Sequence, residues 1–344
     1  MLTPMSYPDG HEGWQTSDHA TARAVLADPR FSARPELMHL APAGVDMQPA
    51  EPGAFLDMDA PEHTRYRRLL MGKFTVRRMR LLTEMVERIA AENLDAMEAA
   101  GPPVDLVEAF ARPVPAQMIC EMLGVSYDDR AHFQHHAEVV TGSGDGNAVA
   151  ESFAALQDFL RELVKAKRAK PTDDMLSDLA GTELTDEELT NIGVVLLGAG
   201  LDTTANMLSL GALTLLEEPG GLAAVRADPE STVEELLRVH TVTPFVVRSA
   251  LEELEVGGQL VRAGDAITVQ LGKINQDLGR NAKGHLAFGH GAHQCLGQQL
   301  ARVQLRAALV ALAARFPGLR LAGDEVMRRD DVYMRGLGEL RVAW

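Results

Sequence analysis

Cysteine, aromatic residues, cationic side chains and long apolar runs are all scarce in this chain of 344 residues. Its two cysteines, Cys120 and Cys295, lie far apart and give neither a disulfide framework nor a zinc-type Cys-x-x-Cys pair, although one of them could still be a ligand. The longest apolar run, 194–201, ends at Asp202 and is far too short to span a membrane, and the N-terminus lacks the apolar core of a signal peptide. We therefore expect a soluble cytoplasmic protein that does not bind a membrane.

The charge balance excludes another class of partner. Lys and Arg total 33 against 49 Asp and Glu, a formal charge of -16, and such a surface repels the phosphate backbone of nucleic acids. Hydrophobic residues make up 46% of the chain, enough to bury a sizeable core. The composition indicates a globular protein that does not act on nucleic acid.

Hydrophobic periodicity predicts a mainly α fold with a small β lobe. Apolar residues recur three and four apart from about residue 60 to residue 237, which is typical of helices. Thr185 followed by Glu188 predicts a capping box, and the apolar helix that it opens should continue to Pro219. After Arg238, short β-branched runs between Gly-rich turns predict strands, so we expect β-rich parts at about 240–272 and 320–344. No repeat or linker divides the chain, so we expect a single domain over residues 1–344.

The most informative stretch is 288–297, which reads Phe-Gly-His-Gly-Ala-His-Gln-Cys-Leu-Gly. It places Cys295 just before a predicted helix, where backbone N–H groups and the positive end of the helix dipole favour a thiolate, while the glycines allow a flat group to approach. A zinc site of His290, His293 and Cys295 would offer three closely packed ligands at most, so haem is the better candidate. Cys120 lies in an apolar helical segment and is interpreted as an inert core residue.

This stretch resembles the haem-binding loop of the cytochrome P-450 superfamily, the haem-thiolate monooxygenases, in its soluble bacterial form. Three further segments occur in that family's order, so the resemblance covers most of the chain. It implies the cytochrome P-450 fold, with a b-type haem between a long central helix and the helix after the cysteine loop, and with Cys295 as the iron ligand. The other haem contacts that it implies are His63, Arg67, Arg248 and His293, toward the propionates, and Phe288, Gly289, Gly297 and Ala199.

Two of these further segments have roles in the cytochrome P-450 superfamily other than haem contact. The segment 199–204 resembles its oxygen-activation segment, which implies that Asp202 and Thr203 deliver protons and that Gly200 lets the helix open locally. Glu235 and Arg238 are similar to its buried Glu-x-x-Arg pair. The chain departs from the family pattern in two places: only a short stub precedes residue 24, and the meander before the haem loop is almost absent. That meander normally supplies the third partner of the Glu-x-x-Arg pair, so this partner is left unassigned.

The resemblance implies insertion of one oxygen atom from O2 into a hydrophobic small molecule, as by a tailoring hydroxylase or epoxidase of bacterial secondary metabolism. Electrons would come from a ferredoxin and its NAD(P)H-dependent reductase, with the ferredoxin docking near Arg65, Arg68, Arg302 and Arg306. A peroxide-driven or oxidative-coupling haem-thiolate enzyme and a non-enzymatic haem sensor stay open as alternatives. The substrate contacts that we expect are Val195, Val242, Phe245, Val246, Tyr333 and Met334.

Overall fold

The computed structural model describes residues 1–73, 76–141, 146–279, 283–323, 326–329 and 334–344. The chain divides into two compact units. Unit 1 comprises Met1–Leu69 and Leu237–Leu296, and unit 2 comprises Leu70–Leu236 and Gly297–Trp344. The expected Tyr333 contact lies outside the described residues.

Unit 1 is built on a mixed sheet of five strands. The chain begins with the hairpin β1 (Thr3–Ser6) and β2 (Glu12–Thr16), followed by helix α1 (His19–Ala27), the short strand β3 (Phe31–Ser32) and helix α2 (Glu62–Met71), which begins in this unit. Strands β5 (Val246–Ala250), β6 (Leu254–Val256), β7 (Gln259–Val261) and β8 (Ala266–Val269) come from the later part of the chain, as does helix α11 (Leu271–Asp277). The strand order is β1-β2-β8-β5-β3, in which only the β2–β8 pairing is parallel.

The core of unit 1 lies between this sheet and α1. Val25, Ile267 and Val269 are almost fully buried there and pack in one cluster with Leu286, just before the cysteine loop. Burial of such side chains stabilises a fold by roughly 1.5–3 kcal/mol each. The cysteine loop therefore starts from a rigid part of the unit.

Unit 2 is mostly helical. Its helices are α3 (Val76–Ala100), α4 (Pro113–Leu123), α5 (Arg130–Thr141), α6 (Gly146–Ala169), α7 (Met175–Ala180), α8 (Asp186–Glu217), α9 (Gly221–Ala227), most of α10 (Pro229–His240), and α12 (Gln298–Arg315). Two small sheets complete it: β4 (Val104–Asp105) with β12 (Arg341–Ala343) and β9 (Arg320–Leu321), and the pair β10 (Met327–Arg328) and β11 (Leu337–Glu339).

Helix α8 is the centre of unit 2. It packs on α4, α6 and α12, which explains why it is apolar on most sides. The capping box is confirmed: the Thr185 hydroxyl accepts from the Glu188 N–H, and the Glu188 carboxylate accepts from the Thr185 N–H at 2.7 Å. By length and composition α8 would also pass for a membrane span, but most of it is buried, as in the core helix of a globular protein.

The predicted mainly α fold with a small β lobe is confirmed, and strands β5, β6 and β8 lie where Gly-rich turns and β-branched runs predicted them. The N-terminal residues were expected to be only a stub. They instead form β1 and β2, which extend the five-stranded sheet of unit 1. The pattern of 1–16 is too short and too mixed to show a strand without its sheet partner β8.

Candidate functional site

The cysteine loop has the geometry of an exposed thiol presented by a helix. Cys295 is exposed and lies two residues before Gly297, the N-cap of α12. Its N–H donates to the Phe288 carbonyl at 2.9 Å, which closes the loop on itself. A helix N-terminus lowers the cost of a thiolate, so this sulfur is suited to ligate a metal.

Glycine shapes this loop at one position above all. Gly291 has a φ of 75°, and a Cβ there would overlap the backbone carbonyl of Leu26 in α1. Gly289 also has a positive φ, 67°, but no atom lies within 4 Å of its ideal Cβ position. The loop therefore needs glycine twice for backbone conformation and once, at Gly291, for close approach.

Four basic side chains of unit 1 form the second part of the site. His63 of α2 stacks on His293 of the loop, with ring centroids 3.9 Å apart. Arg67, one turn after His63, donates to the carbonyl of Gln294, and Arg248 of β5 donates to the Val247 carbonyl at 2.7 Å. The sequence predicted that these four residues act together, and the structure gathers them within one unit.

Burial makes positive charge costly at each of these groups. It lowers the pKa of His293 to about 3, an effect to which Arg248 adds, and lowers the pKa of Arg248 to about 10. Burial also lowers the pKa of His63, followed by repulsion from Arg67. Burial lowers the pKa of Arg67 as well, although the Cys295 sulfur acts in the opposite direction. An anionic group bound beside these side chains would raise their pKa values and so favour their charged forms.

These residues fit a haem. A haem carries two propionates, and the cluster of His63, Arg67, Arg248 and His293 is a set of donors suited to carboxylates. The Nε2 atom of His63 is buried and has no hydrogen-bond partner among the described residues, although a buried ring nitrogen normally has one. Cys295 would supply the thiolate for a bound haem iron. Within the described ranges, His290, His293 and Cys295 do not form a three-ligand metal group.

Arg238 donates hydrogen bonds to two backbone carbonyls at the end of α11. Its Nη1 donates to the carbonyls of Asn275 at 2.6 Å and Leu278 at 2.9 Å. Asn275 is fully buried; its side-chain amide donates to the Thr241 hydroxyl, and its Oδ1 accepts from the Leu286 N–H. This network joins the end of α10, helix α11 and the start of the cysteine loop. Glu235 is half-buried on the same helix as Arg238.

The middle of α8, in unit 2, contains the segment that resembles the oxygen-activation segment. Leu197 and Leu201 are buried, whereas Gly198 and Ala199 are exposed, so one face of this core helix is accessible at mid-length. The Thr203 hydroxyl donates to the Ala199 carbonyl at 2.7 Å, the back-bonding that a helical Thr commonly makes. Because the hydroxyl proton of Thr203 is used in this bond, the hydroxyl oxygen can only accept a further hydrogen bond.

Gly200 differs from its expected role. The helix is regular from Asp186 to Glu217, without a local opening at this position. A Cβ on Gly200 would lie 2.7 Å from the Cδ1 of Ile119 in α4. This atom is the end of a flexible side chain, so an added Cβ would require Ile119 to shift.

Asp202 has a partner that the sequence did not reveal. Its Oδ1 accepts from Nη1 of Arg329 at 2.7 Å, and both side chains are largely buried, at 13% and 9% exposure. The two residues are 127 positions apart and Arg329 belongs to no motif, so only the fold could show the pairing.

The expected substrate contacts lie in both units. Phe245 and Val246 pack against the core of unit 1, and Val242 is half-buried. Val195, on α8, and Met334, just before β11, are half-buried in unit 2. Each of the five keeps some exposed surface, and nothing in their packing separates a substrate contact from a core residue.

Comparison with known proteins was made for the whole chain. The family model described as cytochrome P450 matches residues 153–279 and 275–326. Cytochrome P450 105C1 of a Streptomyces species is 47% identical, and the match covers 100% of this chain and 92% of that protein. Mycinamicin VIII C21 methyl hydroxylase of Micromonospora griseorubida is 36% identical over 100% of this chain and 93% of that protein. A crystal structure of a CYP105P1 variant superposes with a TM-score of 0.93 at 39% identity, covering 100% of this chain and 93% of that one.

Proposed function

The chain belongs to the cytochrome P450 family, and from that premise we propose how its own residues divide the work of the enzyme. It is an oxidoreductase, a haem-thiolate monooxygenase similar to tailoring enzymes of bacterial secondary metabolism. We infer that the cofactor is haem b, that Cys295 ligates its iron, and that the two units act as one monooxygenase domain over residues 1–344. The haem, when bound, supplies the iron at which dioxygen is reduced and one oxygen atom is transferred.

The observation that carries this proposal is the cluster of basic groups in unit 1. His63, Arg67, Arg248 and His293 are held together where burial disfavours their charge, and His63 Nε2 is buried without a partner among the described residues. A dianionic cofactor edge would stabilise all four groups at once. Cys295 lies in the same unit, and Phe288, Gly289 and Gly297 shape the loop that presents it.

On α8, we assign proton delivery to Thr203 and Asp202. In this assignment the Asp202 carboxylate relays protons from water, and Thr203 offers lone pairs to a donor because its own proton is bonded to the Ala199 carbonyl. Ala199 lies on the exposed face of the helix, and we assign it to the haem contacts. Glu235 and Arg238 have a positioning role, since Arg238 fixes the end of α11 from which the cysteine loop starts.

The substrate is a hydrophobic small molecule that contacts Val195, Val242, Phe245, Val246 and Met334. The methyl hydroxylase among the relatives supports a tailoring reaction on a secondary metabolite. We also propose a soluble cytoplasmic enzyme that receives electrons from a ferredoxin and its NAD(P)H-dependent reductase.

The arginines that we propose for ferredoxin docking differ in their surroundings. Arg302 and Arg306 of α12 pair with Glu234 at 3.1 Å and Glu230 at 3.2 Å, so their charge is largely balanced by these neighbours. Arg65 and Arg68 of α2 are exposed, and we propose that they meet an acidic ferredoxin together with Arg302 and Arg306.

Thr203→Ala tests the assignment on α8. With proton delivery impaired, NADPH is still consumed, but we expect the share of it that yields product to fall roughly 10-fold or more, with peroxide released instead. Thr204→Ser is the matched control, because Thr204 is the adjacent, buried threonine. The measurement is product and peroxide formed per NADPH, with a surrogate plant-type ferredoxin and reductase and a substrate found by spectral screening.

Unchanged coupling in Thr203→Ala would contradict this role. It would favour the alternative of a peroxide-driven or oxidative-coupling haem-thiolate enzyme, which has no use for proton delivery to dioxygen. A wild type that binds haem but consumes no NADPH with any candidate substrate would instead favour a haem sensor.

A further inference from the structure

The ion pair between Asp202 and Arg329 joins two parts of unit 2 that are far apart in sequence. Asp202 lies in the middle of α8, and Arg329 directly follows β10. Arg329 Nη1 is 2.7 Å from Asp202 Oδ1, within the range of a charge-assisted hydrogen bond. Because the side chains are only 9% and 13% exposed, water screens the pair far less than it screens a surface ion pair.

The backbone around Arg329 is held against the same face of α8. The Arg329 N–H donates to the Gly336 carbonyl at 3.1 Å, next to the β10–β11 pairing. A Cβ on Gly336 would overlap the Oδ1 of Asn206, so the backbone there touches α8 directly. Asn206 lies four residues after Asp202, on the same helix face. The β10–β11 hairpin therefore contacts α8 at two points one helical turn apart.

This placement fixes Arg329 relative to Asp202. A long, flexible arginine on a free loop would lose much conformational entropy on pairing, whereas one anchored by its own backbone loses less. The guanidinium also offsets the cost of keeping a carboxylate charged in an apolar helix. With Oδ1 held by Arg329, the carboxylate plane of Asp202 has a defined orientation.

We propose that Arg329 is a positioning residue of the monooxygenase, which holds the carboxylate of Asp202 in the orientation and charge state that proton delivery needs. The inference rests on the proposed role of Asp202. It adds Arg329, which directly follows β10, to the group that controls coupling, and its effect on coupling runs through Asp202.

The test compares four variants of the haem-loaded enzyme with the wild type: Arg329→Gln, Arg329→Lys, Asp202→Asn and the double variant Arg329→Gln/Asp202→Asn. Arg328→Gln is the matched control, since Arg328 is the adjacent arginine and its side chain is exposed. The first readout is peroxide released and product formed per NADPH, with 7-ethoxycoumarin as the probe substrate. The second is the thermal midpoint of each variant, which does not depend on turnover.

We expect Arg329→Gln to lower coupling roughly 10-fold, the lower end of what the loss of an orienting partner costs. The double variant should be no worse than Asp202→Asn alone, since residues that act as a unit are not additive. Arg329→Lys should restore most of the coupling, and Arg328→Gln should match the wild type. Arg329→Gln should lower the thermal unfolding midpoint of the wild-type protein by several degrees. The same substitution should lower the midpoint of the Asp202→Asn variant much less.

Two results would overturn the inference while leaving the proposed function intact. One is an Arg329→Gln enzyme that turns over and couples like the wild type. The other is a pair of single variants whose losses of coupling simply multiply in the double variant. A wild type that reduces no dioxygen would contradict the proposed function, and the thermal cycle would still decide whether Arg329 holds Asp202.

Discussion

Cys120 and Cys295 have the same side chain in opposite surroundings. Cys120 lies inside α4 and is fully buried, and burial raises the pKa of its thiol to about 12. Cys295 is exposed and precedes the N-terminus of α12, where a thiolate is favoured. Of the two cysteines, Cys295 is therefore the one suited to the proposed role of iron ligand.

Alkylation should separate them. In the folded, haem-free protein at neutral pH, we expect iodoacetamide to modify Cys295 more than ~100-fold faster than Cys120, because the thiolate is the reactive form and Cys120 holds its proton far above that pH. Bound haem should protect Cys295, and unfolding should expose Cys120. Mass spectrometry of tryptic peptides measures both rates. Equal rates in the folded protein, or no protection by haem, would argue against this account.

Among single elements, the cysteine loop depends most on its neighbour α1. Gly291 and Gly289 both adopt a positive φ, but only Gly291 lies against backbone, at the Leu26 carbonyl. A side chain at Gly289 costs backbone strain alone, whereas one at Gly291 must also move the last turn of α1.

Gly291→Ala should therefore be the more harmful of two similar substitutions. We expect it to lower the free energy of unfolding by roughly 2–4 kcal/mol and to reduce haem content, from strain plus steric overlap. Gly289→Ala should cost only about 1–2 kcal/mol. Denaturant unfolding of the two variants, with haem content measured by pyridine haemochrome, compares them directly. Equal losses would show that α1 does not constrain the loop.

Local patterns predicted the elements well, and long-range partners poorly. Thr185 and Glu188 marked the start of α8 because a capping box is read within four residues. The motif around Cys295 pointed to a haem for the same reason, since its chemistry lies in adjacent positions. By contrast, the pairing of Asp202 with Arg329 and the contact of Gly200 with Ile119 depend on packing between segments distant in sequence. Strands β1 and β2 were missed because they gain stability only from β8.

At the scale of the whole molecule, many of the positive side chains are paired with nearby carboxylates. The formal charge is -16, and several arginines of unit 2, including Arg302 and Arg306, lie beside carboxylates. The number of basic residues in the sequence therefore overstates how much unbalanced positive charge a partner protein would contact at the surface.

The central claim is that the whole chain is organised to hold haem through the Cys295 thiolate, and the ferrous–CO spectrum tests it most directly. We predict that wild type and Cys120→Ser both show the red-shifted Soret band of a thiolate-ligated ferrous–CO haem. Cys295→Ser should lack this band even where haem is retained, because an alcohol is a far poorer anionic donor at neutral pH. A Cys295→Ser protein that keeps the thiolate-type band, or a Cys120→Ser protein that loses it while still folded, would contradict the account.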